Sequence, residues 1–288
     1  MDQPEAVGPM TMLRSHGTGL YRVCLVGVII ENYMILRHLL PLLRPDTVDA
    51  TLYGIDLFIF GFEPALWFEK LNQRPVVEWF SFFYLSYFWI NAAYLVAIAV
   101  IRRGGRETSE FAIGILITFR VGQLGYMAVP GFGPVGYLAS SFHAPLDGGF
   151  FWSCVSRTVT AGSAMKDIFP SLHTAVPTFL TWFAWQRSRT EPGWRLVTLA
   201  TGFFAANIIV STMLLRWHFA IDVVVGLVLG SAAWSDWGEV IIDGYVEHAG
   251  CRNRGSVASK IDHLEAARQM TMRRPHDDGP FTRGAREC

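Results

Sequence analysis

The stretch RWHFAIDVVVGLVLGSAAW, residues 216–234, places an Arg, a His and an Asp directly before a long apolar run. A helix needs about 20 mostly apolar residues to cross a bilayer, and the apolar run extends over residues 218–240. Ionisable side chains beside such a segment are expensive and tend to be functional. The stretch therefore predicts both a membrane fold and a polar site where the last span begins.

Long apolar segments recur along the whole chain. Of its 288 residues, 51% are hydrophobic and 17% are charged, which is less than the roughly 25% charge of an average soluble domain. The segments predict six spans, at residues 20–36, 77–101, 110–130, 171–187, 195–215 and 218–240. The sequence therefore predicts an all-α integral membrane protein, built as a six-transmembrane-helix bundle.

The remaining segments set the predicted domain organisation. A polar N-terminal segment, residues 1–19, precedes a membrane domain over residues 20–245, and a polar, basic and partly disordered tail follows over residues 246–288. Residues 51–70 are apolar but contain Gly61 and Pro64. We expect this segment to form an interfacial helix or loop on the membrane surface.

Arginines in the short connections predict the orientation. The connections after the second and fourth spans contain Arg102, Arg103, Arg106, Arg187, Arg189 and Arg195. Basic residues near span ends favour the cytoplasmic side. We therefore expect a multi-pass protein of the plasma or inner membrane, with the beginnings of the fourth and sixth spans on the outer face.

Several classes of protein are disfavoured. The four cysteines are far apart, which argues against a disulfide framework or a zinc site. The formal net charge is zero and no basic stripe is present, so we expect no nucleic-acid partner. No cofactor is expected, and the oligomeric state is left open.

Two polar clusters are predicted to share one depth in the membrane. The first is KDIFPSLH, residues 166–173, and the second is RWHFAID, residues 216–222. The chain crosses the bilayer twice between them, so His173 and His218 return to the same side. Both lie where a helix is expected to begin, and helix N-termini attract phosphate. Lys166, Arg216 and Ser171 are the predicted phosphate-binding side chains.

The histidines suit phosphoryl transfer on a lipid headgroup. Asp222 follows His218 by four residues, which places the two on one face of a helix. The carboxylate can fix the tautomer of His218 and leave its other nitrogen free to attack. His173 can protonate the leaving oxygen. This chemistry needs no metal, although a metal site made of His173, His218 and Asp222 is an alternative.

At these residues the sequence resembles the type-2 phosphatidic acid phosphatase superfamily. Residues 170–173 are the Pro-Ser-Leu-His form of its second motif, and residues 211–226, STMLLRWHFAIDVVVG, resemble its third. Both look nearest to the inositol phosphorylceramide synthase-like (inositolphosphotransferase) branch. The resemblance covers about residues 50–240. It implies a phosphatidic acid phosphatase/haloperoxidase-like core, with His218 as nucleophile, Asp222 as its partner and His173 as general acid.

The sequence departs from the family pattern in its cations. Thr212 stands where the third motif has Arg. The first motif, Lys-x6-Arg-Pro, is absent from GYMAVPGFGPVGYL, residues 125–138. Lys166 and Arg216 are the candidate substitutes. We expect Trp67, Trp79, Tyr84 and Trp217 to form interfacial aromatic belts.

The resemblance implies an enzyme that acts on a lipid phosphoester among membrane lipids. It favours transfer of an inositol-phosphate-type headgroup through a phosphohistidine. Hydrolysis of a lipid or polyprenyl phosphate is the alternative within this class. A proton-coupled transporter is the alternative from another class, but the sequence shows neither the inverted repeats nor the broken midplane helices typical of transporters.

Overall fold

The computed structural model describes residues 38–97, 106–162 and 166–234, together with residues 27, 31 and 33–36. The predicted N-terminal segment, most of the first predicted span and the predicted tail lie outside the described residues. Every regular element in these described ranges is helical. The prediction of an all-helical fold is therefore confirmed, whereas the domain boundaries stay a prediction.

The longer helices follow the predicted apolar segments closely. The helices are α1 (Tyr33–Leu43), α2 (Asp49–Phe60), α3 (Pro64–Phe68), α4 (Arg74–Val96), α5 (Arg106–Ala128), α6 (Gly133–Tyr137), α7 (Phe150–Gly162), α8 (Leu172–Ser188), α9 (Trp194–Leu214) and α10 (Ala220–Trp234). Helix α1 continues past the predicted end of the first span at residue 36, because Leu39, Leu40, Leu42 and Leu43 extend the apolar run.

Helix α8 lies at the centre of the bundle. Its side chains Val176, Phe179, Leu180 and Phe183 are fully buried, and helices α4, α5, α9 and α10 all pack against it. A helix that is apolar on every side must be surrounded by other elements. The second residue of this central helix is His173, so the bundle core fixes the position of that histidine.

Glycines allow α10 and α5 to approach α8 closely. A Cβ at Gly226 would lie 2.6 Å from the carbonyl oxygen of Ser171, and one at Gly230 would lie 2.2 Å from that of Ala175. Small residues four apart are a common device for close helix packing in membranes. On α5, a Cβ at Gly125 would lie 2.3 Å from Pro170. The glycines thus hold the helix starts of α8 and α10 together.

The outer surface of the bundle is strongly apolar. Trp89 is 75% exposed, Leu196 is 75% exposed and Val228 is 62% exposed. Large exposed apolar patches mark contact surfaces. By length and hydropathy, Glu110–Ser141 and Trp194–Leu214 are candidate membrane spans. The two spans and the apolar surface together suggest a membrane protein, while the count of six spans stays a prediction.

The segment predicted to be interfacial, residues 51–70, folds as helices α2 and α3. They are separated at Gly61, whose φ of 75° ends α2 in the left-handed conformation. Asp49 and Asp56 lie on one face of α2, and both are buried. Each carboxylate accepts hydrogen bonds from the backbone of another part of the chain. Helix α2 therefore forms hydrogen bonds in the interior of the protein in addition to forming part of its surface.

Candidate active site

The structure brings the two predicted histidines together. His173 is the second residue of α8, and His218 lies two residues before the first residue of α10. The centroids of their rings are 6.4 Å apart. His218 is 4% exposed. The close approach of α8 and α10 therefore joins the two sequence clusters into one site.

Asp222 pairs with His218, but not in the predicted way. Its Oδ2 lies 3.4 Å from Nδ1 of His218 and accepts a hydrogen bond of 3.0 Å from the amide of Phe219. His218 precedes the helix, so the two residues do not share a helix face. Asp222 instead occupies the third position of α10 and reaches back to the cap residue, as in a capping box.

Asp56 completes the N-terminus of α10 from another helix. Its two oxygens accept hydrogen bonds of 2.6 Å and 2.8 Å from the amides of Ala220 and Ile221. With Asp222 on the amide of Phe219, carboxylates occupy the first amides of α10. The expectation that this helix N-terminus binds phosphate is therefore wrong, because negative side chains already bind there.

The N-terminus of α8 is different. Ser171 is the cap residue, but its side chain makes no capping hydrogen bond; its Oγ instead accepts one of 3.2 Å from Thr174. Within the described residues, no acceptor is found for the amides of Leu172 and His173. Amides at a helix N-terminus attract anions. This helix start therefore retains the donors that α10 lacks.

Aromatic rings hold His173. Its ring stacks on Tyr84 with centroids 4.4 Å apart and lies 4.2 Å from the ring of Tyr87. Nε2 of His173 is buried and has no hydrogen-bond partner among the described residues. Tyr84 is 5% exposed, so its predicted place in an interfacial belt is wrong. It packs against the site because α4 passes beside the beginning of α8.

The two predicted cations bind other parts of the chain. Nζ of Lys166 donates hydrogen bonds of 2.8 Å to the carbonyl oxygens of Arg44 and Pro45. The guanidinium of Arg216 donates to the carbonyl oxygen of Ala144 at 3.0 Å and to Oε1 of Glu69 at 3.3 Å. Both side chains are largely buried. Neither contact excludes a further ligand, because Lys carries three N–H donors and Arg carries five.

Arg216 and Glu69 form an ion pair beside the site, and each affects the pKa of the other. Burial lowers the pKa of Arg216, and the charge of Glu69 partly offsets this effect. Burial by itself would raise the pKa of Glu69, but hydrogen bonds from His143 and Ala144 and the charge of Arg216 lower it overall. Arg216 also has a backbone φ of 68°, in the left-handed region, and the ion pair holds its side chain in place. The pair therefore fixes the turn that leads into His218.

A buried carboxyl group that interacts electrostatically with Asp56 and Asp222 was not predicted. Glu63 precedes α3 and is 3% exposed. Its Oε1 accepts a hydrogen bond from Ala65, and Oε2 has no partner among the described residues. Burial raises the pKa of Glu63 to about 7, and Asp56 and Asp222 act in the same direction. Asp56 and Glu63 were detectable in the sequence as acidic residues within an apolar segment.

The described residues contain no group of three or more His, Cys, Asp or Glu that could hold a metal ion. The site itself offers two imidazoles, a carboxylate beside one of them, and the amides of α8. Such a set can attack a phosphorus atom and protonate a leaving oxygen.

Comparison with known proteins identifies the class. A family model described as PAP2 superfamily matches residues 52–235, and the chain belongs to that superfamily. Membership suggests a phosphatase-type activity on lipid phosphoesters. No curated protein and no solved structure matches the chain. The family match begins within α2 and extends through α10, so it includes both histidines, Asp56 and Asp222.

Proposed function

We propose that the chain is a membrane-embedded lipid phosphatase or phosphotransferase that works through a phosphohistidine on His218. The supporting observation is the pair of histidine rings 6.4 Å apart, with Asp222 beside one of them. Since Nδ1 of His218 faces Asp222, Nε2 is the nitrogen that attacks phosphorus. His173 gives its proton to the leaving oxygen as the phosphorus–oxygen bond breaks.

The second half of the reaction reverses these roles. His173 takes a proton from an acceptor hydroxyl, whose oxygen attacks the phosphohistidine and breaks its nitrogen–phosphorus bond. Water as acceptor gives hydrolysis, and an alcohol gives transfer. We favour transfer of an inositol-phosphate-type headgroup, because Pro-Ser-Leu-His and the stretch at residues 211–226 resemble the inositolphosphotransferase branch. Simple lipid phosphate hydrolysis is the alternative.

The proposed phosphate contacts begin with the amides of Leu172 and His173. Arg216 lies two residues before His218, the proposed nucleophile. It uses two of its donors on Ala144 and Glu69, and its remaining N–H groups can bind the phosphate. The Ser171 hydroxyl accepts from Thr174 and can still donate its own proton. Lys166 has one N–H beyond the two that bind carbonyl oxygens, and it completes the proposed set.

The reaction is tested with purified protein and radiolabelled lipid phosphates. We expect wild type to release phosphate or transfer a labelled headgroup, and His218→Ala to do neither. Product analysis distinguishes transfer from hydrolysis, since only transfer yields a new phosphorylated alcohol. Activity that survives His218→Ala would contradict the nucleophile assignment, and activity abolished by a chelator would favour a metal-dependent reaction.

We further propose six membrane spans with the site on the outer face. The exposed apolar surface and the arginines of the connections support this topology. A cysteine-free protein carrying Ser141→Cys should react with an impermeant thiol reagent in intact cells. The matched variant Thr190→Cys, in the connection between α8 and α9, should react only after permeabilisation. The reverse pattern would contradict the orientation.

A further inference from the structure

The indole N–H of Trp217 is a buried hydrogen-bond donor beside the site. Trp217 directly precedes His218 in the chain, and its Nε1 is enclosed without an acceptor in the described part of the protein. A buried indole N–H normally has a partner. Trp79 follows that rule, because its Nε1 donates to Oδ1 of Asn207 at 3.0 Å. The unpaired donor of Trp217 therefore points to an acceptor that is not part of the protein.

The backbone of Trp217 is fixed on two sides. Its amide and the amide of His218 both donate to the carbonyl oxygen of Thr212, at 2.9 Å and 3.1 Å. A Cβ at Gly133 would lie 2.3 Å from the carbonyl oxygen of Trp217, so the beginning of α6 packs directly on this turn. One turn of the chain therefore fixes Trp217 and His218 together.

Aromatic packing places the indole next to the histidines. The centroid of the Trp217 ring lies 6.3 Å from that of Tyr84 and 6.1 Å from that of Trp152. Tyr84 in turn stacks on His173, with centroids 4.4 Å apart. Trp217, Tyr84 and His173 thus form a row of rings. The ring of Trp217 is held by its neighbours, so its N–H is oriented before any ligand binds.

A second unpaired group lies along the same part of α4. Ser81 is fully buried and shares one face of α4 with Val77 and Tyr84, because the three are spaced by four and three residues. Val77 and Tyr84 pack in one cluster with Trp217. Across the residues that the structure describes, the hydroxyl of Ser81 has no partner either. Ser81 is therefore not the acceptor of the indole, and this buried region has polar groups that its own packing leaves unpaired.

The chemistry of the indole selects the ligand. An indole N–H can only donate, and the strongest acceptors of a phosphoester are its charged non-bridging oxygens. These oxygens also carry the charge of the transition state, where a preorganised donor is most effective. We propose that Trp217 is a catalytic residue whose indole N–H donates a hydrogen bond to a non-bridging oxygen of the phosphate. This inference rests on the proposed function, in which the phosphate lies between His173 and His218.

The test replaces one non-bridging oxygen at a time. The substrates are an alkyl p-nitrophenyl phosphodiester and the two stereoisomers of its phosphorothioate, which carry sulfur in place of different oxygens. Sulfur is a weak acceptor. Trp217→Phe should lower kcat/KM about tenfold for the phosphodiester and for one stereoisomer, but less than about threefold for the other, in which sulfur has already weakened the bond.

Controls separate a phosphate contact from a structural role. Trp79→Phe is the matched variant, because the indole of Trp79 already donates to Asn207; it should change all three rates equally. Equal losses on all three substrates in Trp217→Phe, or no loss on any, would overturn the phosphate contact and leave the phosphohistidine mechanism in place. A loss of the same size and pattern in Ser81→Ala would show that the indole acts through Ser81, and it would also overturn the proposal.

A binding measurement decides the contact independently of turnover. The indole ¹⁵N–¹H resonance of Trp217 is identified by its absence from the spectrum of Trp217→Phe. It is then followed while the full-length wild type is titrated with dibutyl phosphate. A saturable downfield shift supports the hydrogen bond, even if the protein turns over no phosphoester and the proposed function fails. An unchanged resonance overturns it.

Discussion

The histidines and the cations of this protein differ in what they contact. Nε2 of His173 is buried without a hydrogen-bond partner among the described residues, and the ring of His218 contacts a single carboxylate, Asp222, at 3.4 Å. Lys166 and Arg216, in contrast, donate to backbone carbonyl oxygens and to Glu69. One nitrogen of each histidine thus remains for a ligand in the proposed mechanism, whereas each cation already uses two of its donors to connect separate segments of the chain.

In the proposed site, this difference explains how the histidines are positioned without the cations that the resemblance implies for the first and third motifs. The backbone around His218 is fixed by Asp56 and Asp222 on one side and by Arg216 with Glu69 on the other. A buried charge is tolerated when it is paired and hydrogen-bonded. In the proposed mechanism, the charged groups therefore position the site and the two imidazoles carry out the chemistry.

The largest effects are expected at the two histidines. His218→Ala should lower kcat at least about a thousandfold with any leaving group, because the attacking nitrogen is lost. His173→Ala should lower kcat by about 10²–10⁴-fold for an alkyl ester, but much less for a p-nitrophenyl phosphodiester, whose leaving oxygen needs no proton. Steady-state kinetics of both variants on both esters measure this. If the p-nitrophenyl ester restored the kcat of both variants to the same extent, the separate roles of His218 and His173 would be contradicted.

Asp56→Ala should cost stability as well as activity. Two buried amides of α10 lose their acceptor, and each unmade hydrogen bond costs about 1–3 kcal/mol. We expect a loss of about 2–4 kcal/mol in the free energy of unfolding, together with a lower kcat. Denaturant unfolding in detergent measures the first. Asp46→Ala is the control, because Asp46 is exposed and pairs with Arg44 at 3.4 Å; it should change little.

Glu63 should make stability depend on pH near neutrality. The folded chain binds its proton more tightly than the unfolded chain, so stability falls as the pH rises from 4.5 to about 7 and then levels off. Glu63→Gln should remove this decrease, which is at most about 1.4 kcal/mol per pH unit. Unfolding measured at several pH values tests this. An unchanged pH profile would contradict the burial of this carboxyl group.

Glu69 should contribute a pH dependence of stability opposite in sign to that of Glu63, and Glu69→Gln tests this. The lowered pKa of Glu69 means that its contribution to stability is present above pH 4.5 and is lost as the pH falls through its folded value. The substitution should therefore flatten the acid side of the profile and leave the region near pH 7 unchanged.

Substitutions of Arg216 and Lys166 should change KM by different amounts. Arg216→Gln should raise KM about tenfold, the effect of losing one charged hydrogen bond to phosphate, because several of its donors remain available. Lys166→Met should raise KM less than about threefold and should lower the melting temperature, since two carbonyl oxygens lose their donor. Equal changes in KM would show that both cations bind the phosphate to the same extent.

Much of the fold could be predicted from the sequence, because long apolar segments have few alternatives in a membrane protein. The helices α4, α5, α8 and α9 lie close to their predicted spans for that reason. The meeting of His173 and His218 was also predictable, since two crossings return the chain to the same side. Local geometry was harder to predict: His218 lies outside the helix that its spacing to Asp222 suggested.

The contacts made by helices distant in sequence could not be predicted. Asp56 and Tyr84 reach the site from α2 and α4, and no spacing along the chain encodes those contacts. An acidic residue in an apolar segment indicates a partner but does not identify it. The same reasoning applies to Lys166, whose carbonyl partners lie at residues 44 and 45.

The central claim is that His218 carries the phosphoryl group during turnover. Purified protein is mixed with a radiolabelled lipid phosphoester, quenched within milliseconds, and analysed for acid-labile, base-stable label by peptide mass spectrometry. We expect label on His218 in wild type, increased occupancy when acceptor is withheld, and none in His218→Ala. Product formed in a single turnover without label on His218, or label on His173 instead, would contradict it.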